Sequence, residues 1–123
     1  MSCQKRIYNL CYYSMKKLDK YFPLNYEDKK LYDEYMKIFV HMMHLYGIIK
    51  DITNKYNDFT KNEFEDIRLA ASKLKSDCEY YIKLERFPDL QNHFNDAIKN
   101  SNIIIEILDG CYYEIKKDVK IYN

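Results

Sequence analysis

Glycine and proline are scarce in this chain, with only two residues of each among 123. Their usual combined share is roughly 12%, so the chain has few of the residues that form tight turns. A β-sandwich or barrel would need many such turns, and no alternating apolar run bounded by Gly or Asn-Gly occurs. We therefore expect a small number of long elements.

An excess of charge of either sign is also missing. The 20 Lys and Arg residues nearly balance the 19 Asp and Glu residues, which leaves a formal net charge of +1. No overall field would attract nucleic acid or an anionic membrane, so such binding would need a local patch. No run approaches the ~18 apolar residues of a membrane-spanning helix, and the amino-terminal segment lacks the apolar stretch of a secretory signal. We expect a cytoplasmic protein that does not bind membranes.

Metal and cofactor motifs are lacking as well. The four cysteines, Cys3, Cys11, Cys78 and Cys111, form no C-x-x-C pair, so a zinc site is not expected. Cys11, Cys78 and Cys111 fall in apolar helical registers, where a reduced thiol behaves as a small hydrophobic side chain. No glycine-rich phosphate loop is present. We expect neither a metal nor a cofactor.

Apolar residues recur with alternating spacings of four and three along one central segment. This is the heptad a/d pattern of a long helix packed lengthwise against other helices. Its nine positions are Leu31, Tyr35, Ile38, Met42, Leu45, Ile49, Ile52, Tyr56 and Phe59.

Helix-boundary residues divide the chain into four helices. Pro23 disfavours helix at the preceding residue and so ends the first helix, and Asn25 is a good N-cap for the second. Thr60 and Glu63 form a T-x-x-E capping box at the start of the third, and Pro88 suits the first turn of the fourth. The predicted helices span about residues 4–21, 26–57, 60–85 and 88–120.

Short connections between long helices force neighbouring helices to run antiparallel. We therefore predict one domain over residues 1–123, an all-α antiparallel four-helix bundle. Its second and fourth helices, about 26–57 and 88–120, would be the longest and would overhang the others. Gly110 could break the fourth helix, although the apolar pattern continues through it and favours continuity.

A second apolar stripe adjoins the main one in the first half of the second helix. A helix with so wide an apolar face either occupies the centre of the bundle or offers part of that face to another chain. We predict a non-catalytic interaction module, an adaptor or inhibitor, that binds a protein partner and can self-associate through this stripe. The residues of this second stripe are Tyr32, Met36, Phe39, Met43 and Tyr46.

Two histidines flank a methionine pair in the segment His41-Met42-Met43-His44. Their spacing would let both imidazoles face one ion. The second carboxylate and E-x-x-H motifs of a bundle metal site are missing, however. We interpret these histidines as helix-edge residues.

An arginine and a histidine, Arg86 and His93, lie at the junction of the third and fourth helices in the segment R-F-P-D-L-Q-N-H. A guanidinium binds phosphate oxygens, and an imidazole titrates near neutral pH. In this motif the chain resembles the HEPN family of helical-bundle ribonucleases, which carry Arg-x(4 to 6)-His at this junction. The resemblance implies an alternative function, metal-independent RNA cleavage, in which Arg86 would stabilise phosphate charge and His93 would assist proton transfer.

A further alternative is an RNA-binding accessory protein. In its layout, and in the segments 67–71 (I-R-L-A-A) and 106–110 (E-I-L-D-G), the chain is similar to small bacterial four-helix-bundle proteins that accompany reverse transcriptases or ribosomal intervening sequences. Such a protein would bind RNA through basic residues. Two lysine clusters could merge into one basic patch if the first and fourth helices are neighbours: Lys16, Lys17 and Lys20, and Lys116, Lys117 and Lys120.

Overall fold

Four α-helices make up most of the computed structural model, which describes residues 2–20, 27–55 and 59–122 and their side chains as far as residue 111. No strand occurs within these residues. The prediction of an all-α four-helix bundle is confirmed. The elements are α1 (Cys3–Asp19), α2 (Lys29–Thr53), α3 (Lys61–Leu84), a 3-10 turn (Pro88–Leu90) and α4 (Gln91–Tyr122).

The helix starts follow from local capping chemistry. At the start of α3 the Thr60 hydroxyl accepts a hydrogen bond from the Glu63 amide (3.1 Å), and the Glu63 carboxylate accepts one from the Thr60 amide (2.9 Å), which confirms the predicted capping box. The N-cap of α2 is Asp28, whose carboxylate accepts a hydrogen bond from the Lys30 amide (2.9 Å). The helix therefore starts three residues later than the predicted N-cap, Asn25, would place it, and Asn25 lies outside the described residues.

The predicted length of the second helix is wrong. The helix ends at Thr53, whose hydroxyl donates to the carbonyl oxygens of Ile49 (2.8 Å) and Lys50 (3.0 Å). The C-cap, Asn54, leaves the helical conformation with φ −84° and ψ 69°. At 25 residues α2 is hardly longer than α3 at 24, whereas α4 has 32. The fourth helix is the long one, and it continues through Gly110 as expected.

Each helix packs against its neighbours in sequence, and α1 also packs against α4. The α2–α3 pair is antiparallel, because the His41 imidazole meets the Asp77 carboxylate (2.6 Å) while Arg86, just after α3, meets Glu34 near the start of α2 (2.9 Å). Four neighbouring pairs in this order make an up-down-up-down bundle.

The predicted apolar registers form the core. In α2 the main stripe is buried at Tyr35, Ile38, Met42, Leu45 and Ile49. In α3 and α4 the buried residues recur at the same helical spacing: Phe64, Ile67, Ala71, Leu74, Cys78, Leu90, Phe94, Ala97, Ser101, Ile104, Leu108 and Cys111.

A disulfide bond between Cys3 and Cys111 joins the start of α1 to α4, with the two Cα atoms 6.4 Å apart. The expectation that Cys111 is a reduced core thiol is therefore wrong, although the residue is buried as its register predicted. Cys11 and Cys78 are free and buried. Burial raises the pKa of both thiols to about 12, which keeps them protonated at neutral pH.

Candidate functional site

The predicted partner surface on α2 is only partly accessible. Phe39 and Tyr46 are 5% and 1% exposed, so they belong to the core and cannot contact another chain. Tyr32, Met36 and Met43 are half-buried. The structure places Phe39 and Tyr46 in the core because their side of α2 faces the inside of the bundle.

Val40 is an exposed apolar residue of α2 that the predicted second stripe did not include. It is 54% exposed and lies one helical turn after Met36, so the i to i+4 spacing could have revealed it. A shallow groove of about 440 Å³ surrounds it, lined by Met36, Lys37, Val40, His41 and His44. We call Tyr32, Met36, Val40 and Met43 the α2 strip.

The structure does not bring Arg86 and His93 together as a reactive pair. The Arg86 guanidinium forms its ion pair with Glu34 on α2. His93 is 5% exposed and lines a different region, the groove between α1 and α4. Burial lowers the pKa of His93, and the charged groups acting on it are Asp96, Lys17 and Asp89. The guanidinium is thus engaged elsewhere, and ribonuclease chemistry stays an untested alternative.

The lowered pKa of His93 predicts a specific pH dependence of stability. In the unfolded chain its pKa is about 6.5, so below that pH the unfolded state binds a proton that the folded state resists. The free energy of unfolding should then fall as the pH drops from 7 through 6.5 towards the lower folded-state pKa. Urea titrations at pH 7.5 and 5.0 should show that the unfolding free energy falls more between these pH values in the native chain than in His93→Gln. An equal fall in both proteins would contradict a buried neutral imidazole.

A polar cluster joins three helices beneath the α1–α4 groove. The amide nitrogen of Asn100 on α4 donates to the hydroxyl of Ser14 on α1 (2.9 Å) and to that of Tyr46 on α2 (3.2 Å). The Ser14 hydroxyl in turn donates to the Leu10 carbonyl oxygen (2.7 Å). Burial raises the pKa of Tyr46, so its phenol stays neutral. No sequence pattern indicated this cluster, because its members are far apart in the chain.

The helix backbones place the two predicted lysine clusters far apart along the bundle. Lys17 pairs with Asp96 (3.2 Å), while Cys3 is bonded to Cys111, so α1 and α4 run antiparallel. Helix positions 116 to 120 therefore lie beyond the other end of α1, about 30 Å along α4 from Asp96 at 1.5 Å per residue. The side chains of Lys116, Lys117 and Lys120 themselves lie outside the described residues.

The helix α1 nevertheless carries a local excess of positive charge. Lys16, Lys17 and Lys20 are exposed near its end, as are Lys5 and Arg6 near its start. Residues 2–20 contain five cationic side chains and one acid, Asp19, which gives +5 − 1 = +4. The Lys16 ammonium lies over the Tyr12 ring, 4.9 Å from its centroid.

The His41 and His44 pair is not arranged as a metal site. His41 contacts Asp77, and His44 is exposed on the α2 surface. Within the described part of the chain, no group of three or more His, Cys, Asp or Glu residues could hold a metal ion. Among the same residues, no helix combines the length and apolar character that crossing a membrane requires.

No known protein family, curated protein or solved structure matches this chain.

Proposed function

We propose that this protein is a non-catalytic interaction module, an adaptor or inhibitor, that binds a partner protein through the α2 strip. The main observation in favour is the exposed Val40, a β-branched apolar residue in the middle of α2 with half-buried Met36 beside it. An exposed apolar side chain in a shallow groove can serve as an anchor point for a partner protein.

Within the described residues, α1 packs beside the second half of α2. Met15 of α1 lies beside Gly47 of α2, 3.7 Å from where a Cβ atom would be, and Asp19 and Met43 line the same cleft. Since α1 ends at Asp19, it covers only the second half of α2. The first half, residues 29–42, extends roughly 20 Å further at 1.5 Å per residue.

The occupant that we propose is an amphipathic helix of the partner protein. Tyr32, Met36, Val40 and Met43 are spaced by four, four and three residues, so they form one continuous side of a helix. Helix-in-groove recognition uses anchor residues at this spacing.

Replacing Val40 with aspartate should abolish partner binding and leave the fold intact. The exposed position predicts a change in unfolding free energy within about 0.5 kcal/mol, whereas a carboxylate in an apolar contact should weaken binding at least about tenfold. Partners retrieved from native lysate and identified by mass spectrometry should be lost in this variant. Light scattering of the purified protein would show whether the bound chain is a second copy of this protein.

The matched control is Leu69→Asp, because Leu69 is 70% exposed on α3 and outside the α2 strip. This variant should retain the same partners at the same level. Equal loss in both variants would point to a general surface effect and contradict the proposal. A monodisperse monomer that retrieves nothing would contradict it too.

The proposal includes a cytoplasmic location, and the disulfide bond makes that location testable. Cytosolic thiols are normally kept reduced, so in that compartment Cys3 should react with an alkylating reagent added at cell lysis. Quantitative protection of Cys3 in freshly lysed cells would instead indicate an oxidising compartment.

A further inference from the structure

A cavity of about 290 Å³ opens between α1 and α4, on a different side of the bundle from the α2 strip. Leu10 and Leu18 form apolar walls, and the hydrogen-bonded cluster of Ser14, Tyr46 and Asn100 lines its interior. The cavity is open to solvent at its mouth, so a planar heterocycle can enter while an attached sugar and phosphate stay outside.

The polar groups inside the cavity match the edge of a nucleobase. Both amide hydrogens of Asn100 are used, since its nitrogen donates to the Ser14 and Tyr46 hydroxyls. These bonds fix the amide and leave its carbonyl oxygen to accept a hydrogen bond from an exocyclic amino group such as that of adenine. His93 adds an imidazole that is neutral at pH 7 because burial lowers its pKa. A neutral polar interior favours an uncharged heterocycle over a carboxylate or an ammonium group.

The mouth of the cavity offers stacking and positive charge. Tyr13 lines it and is 65% exposed, so one face of its ring is available to a base. Its ring is supported edge-on by Tyr12, with centroids 5.4 Å apart. Lys17 lies at the same mouth, and Lys16 and Lys20 follow on the same exposed, basic helix end. A phosphate held at the mouth would meet Lys17, whose ion-pair partner Asp96 is the one acidic residue that lines the cavity.

We propose that the α1–α4 cavity binds the base of a nucleoside phosphate, with Tyr13 stacking on the base, Asn100 hydrogen-bonding its edge and Lys17 contacting the phosphate. The ligand is either a free nucleotide or one residue of a single-stranded nucleic acid, because both present the same chemistry. This site shares no residue with the α2 strip and does not depend on the proposed protein partner.

Calorimetric titration of the full chain with adenosine 5′-monophosphate tests the proposal. We expect saturable binding, weaker binding of adenosine, and no binding of ribose 5-phosphate, which lacks the base. Tyr13→Ala should weaken binding about tenfold, since stacking on an aromatic ring dominates such sites. The matched control is Tyr80→Ala, because Tyr80 is 59% exposed on α3 and should not affect binding.

Charge variants test the mouth of the cavity. Lys17→Ala should weaken nucleotide binding roughly threefold at low salt, and Asp96→Asn should strengthen it by a similar factor, because one removes an attraction to phosphate and the other a repulsion. Lys83→Ala, on the exposed surface of α3, is the control and should change nothing. An affinity unchanged in both Lys17→Ala and Asp96→Asn would contradict the assignment of the phosphate.

Titration with a hexa-adenylate strand distinguishes the two possible ligands, a free nucleotide and a single-stranded nucleic acid. Much tighter binding than the mononucleotide, with steep salt dependence, would assign the site to single strands, and equal affinity would assign it to free nucleotides. Absence of binding by both ligands at millimolar concentration would overturn the proposal, as would ribose 5-phosphate binding as tightly as the nucleotide. Val40→Asp should bind the nucleotide normally, so failure here is distinct from failure of the partner proposal.

Discussion

Replacing Ile49 with aspartate should destabilise the protein by roughly 4 kcal/mol or more, because it places a carboxylate in an apolar interior. Ile49 is fully buried in the middle of the main stripe of α2. A domain of this size is stable by only about 5–15 kcal/mol in total. Much of the folded population should therefore be lost at 37 °C, and circular dichroism during urea titration should show a sharply lower midpoint.

The control for this variant is Val40→Asp, the same chemical change on the exposed side of the same helix. Its urea midpoint should stay close to that of the native chain. The pair separates burial from helix propensity, since both variants put aspartate at an interior position of α2. An unchanged melting temperature for Ile49→Asp would contradict the position of the main stripe in the core.

Reduction of the Cys3–Cys111 bond should produce the second largest effect. The two cysteines are 108 residues apart in sequence, so the bond closes almost the whole chain into one loop. Loop-closure entropy predicts a stabilisation of about 3–5 kcal/mol for loops of this length. Thermal unfolding with a phosphine reductant should occur about 10 °C or more below the unfolding temperature of the oxidised protein.

Cys3→Ser provides the internal comparison, because Cys3 is half-buried whereas Cys111 lies in the core. This variant should melt near the temperature of the reduced native chain and should not respond to reductant. If the native chain also melts at one temperature with and without reductant, the bond does not contribute to stability as inferred.

The helices could be predicted from the sequence because their signals are local. The apolar periodicity of α2 and the Thr60–Glu63 capping box involve residues within a few turns of one another. The ends of α2 were harder to predict. Asp28 caps the helix where Asn25 was also suitable, and the apolar spacing continues to Phe59, past the last helical residue, Thr53.

The candidate sites were harder to predict because they depend on which helices are neighbours. Phe39 and Tyr46 have the same apolar character as Met36, and only the packing of the other helices decides which of them is buried. The Cys3–Cys111 bond and the Asn100 cluster likewise join residues far apart in sequence. Spacing along one helix holds no information about such pairs.

The hydrogen bond from Asn100 to Tyr46 also determines the axial alignment of the helices. It joins α4 to α2, which lie diagonally opposite each other in the bundle. The bond from Asn100 to Ser14 links α1 to the same residue. Apolar stripes alone would tolerate sliding of one helix past another, but a slide of one turn, about 5.4 Å, would break both bonds and bury unpaired polar groups. A single asparagine thus selects one register for three helices at once, a role attested for lone buried asparagines in coiled coils.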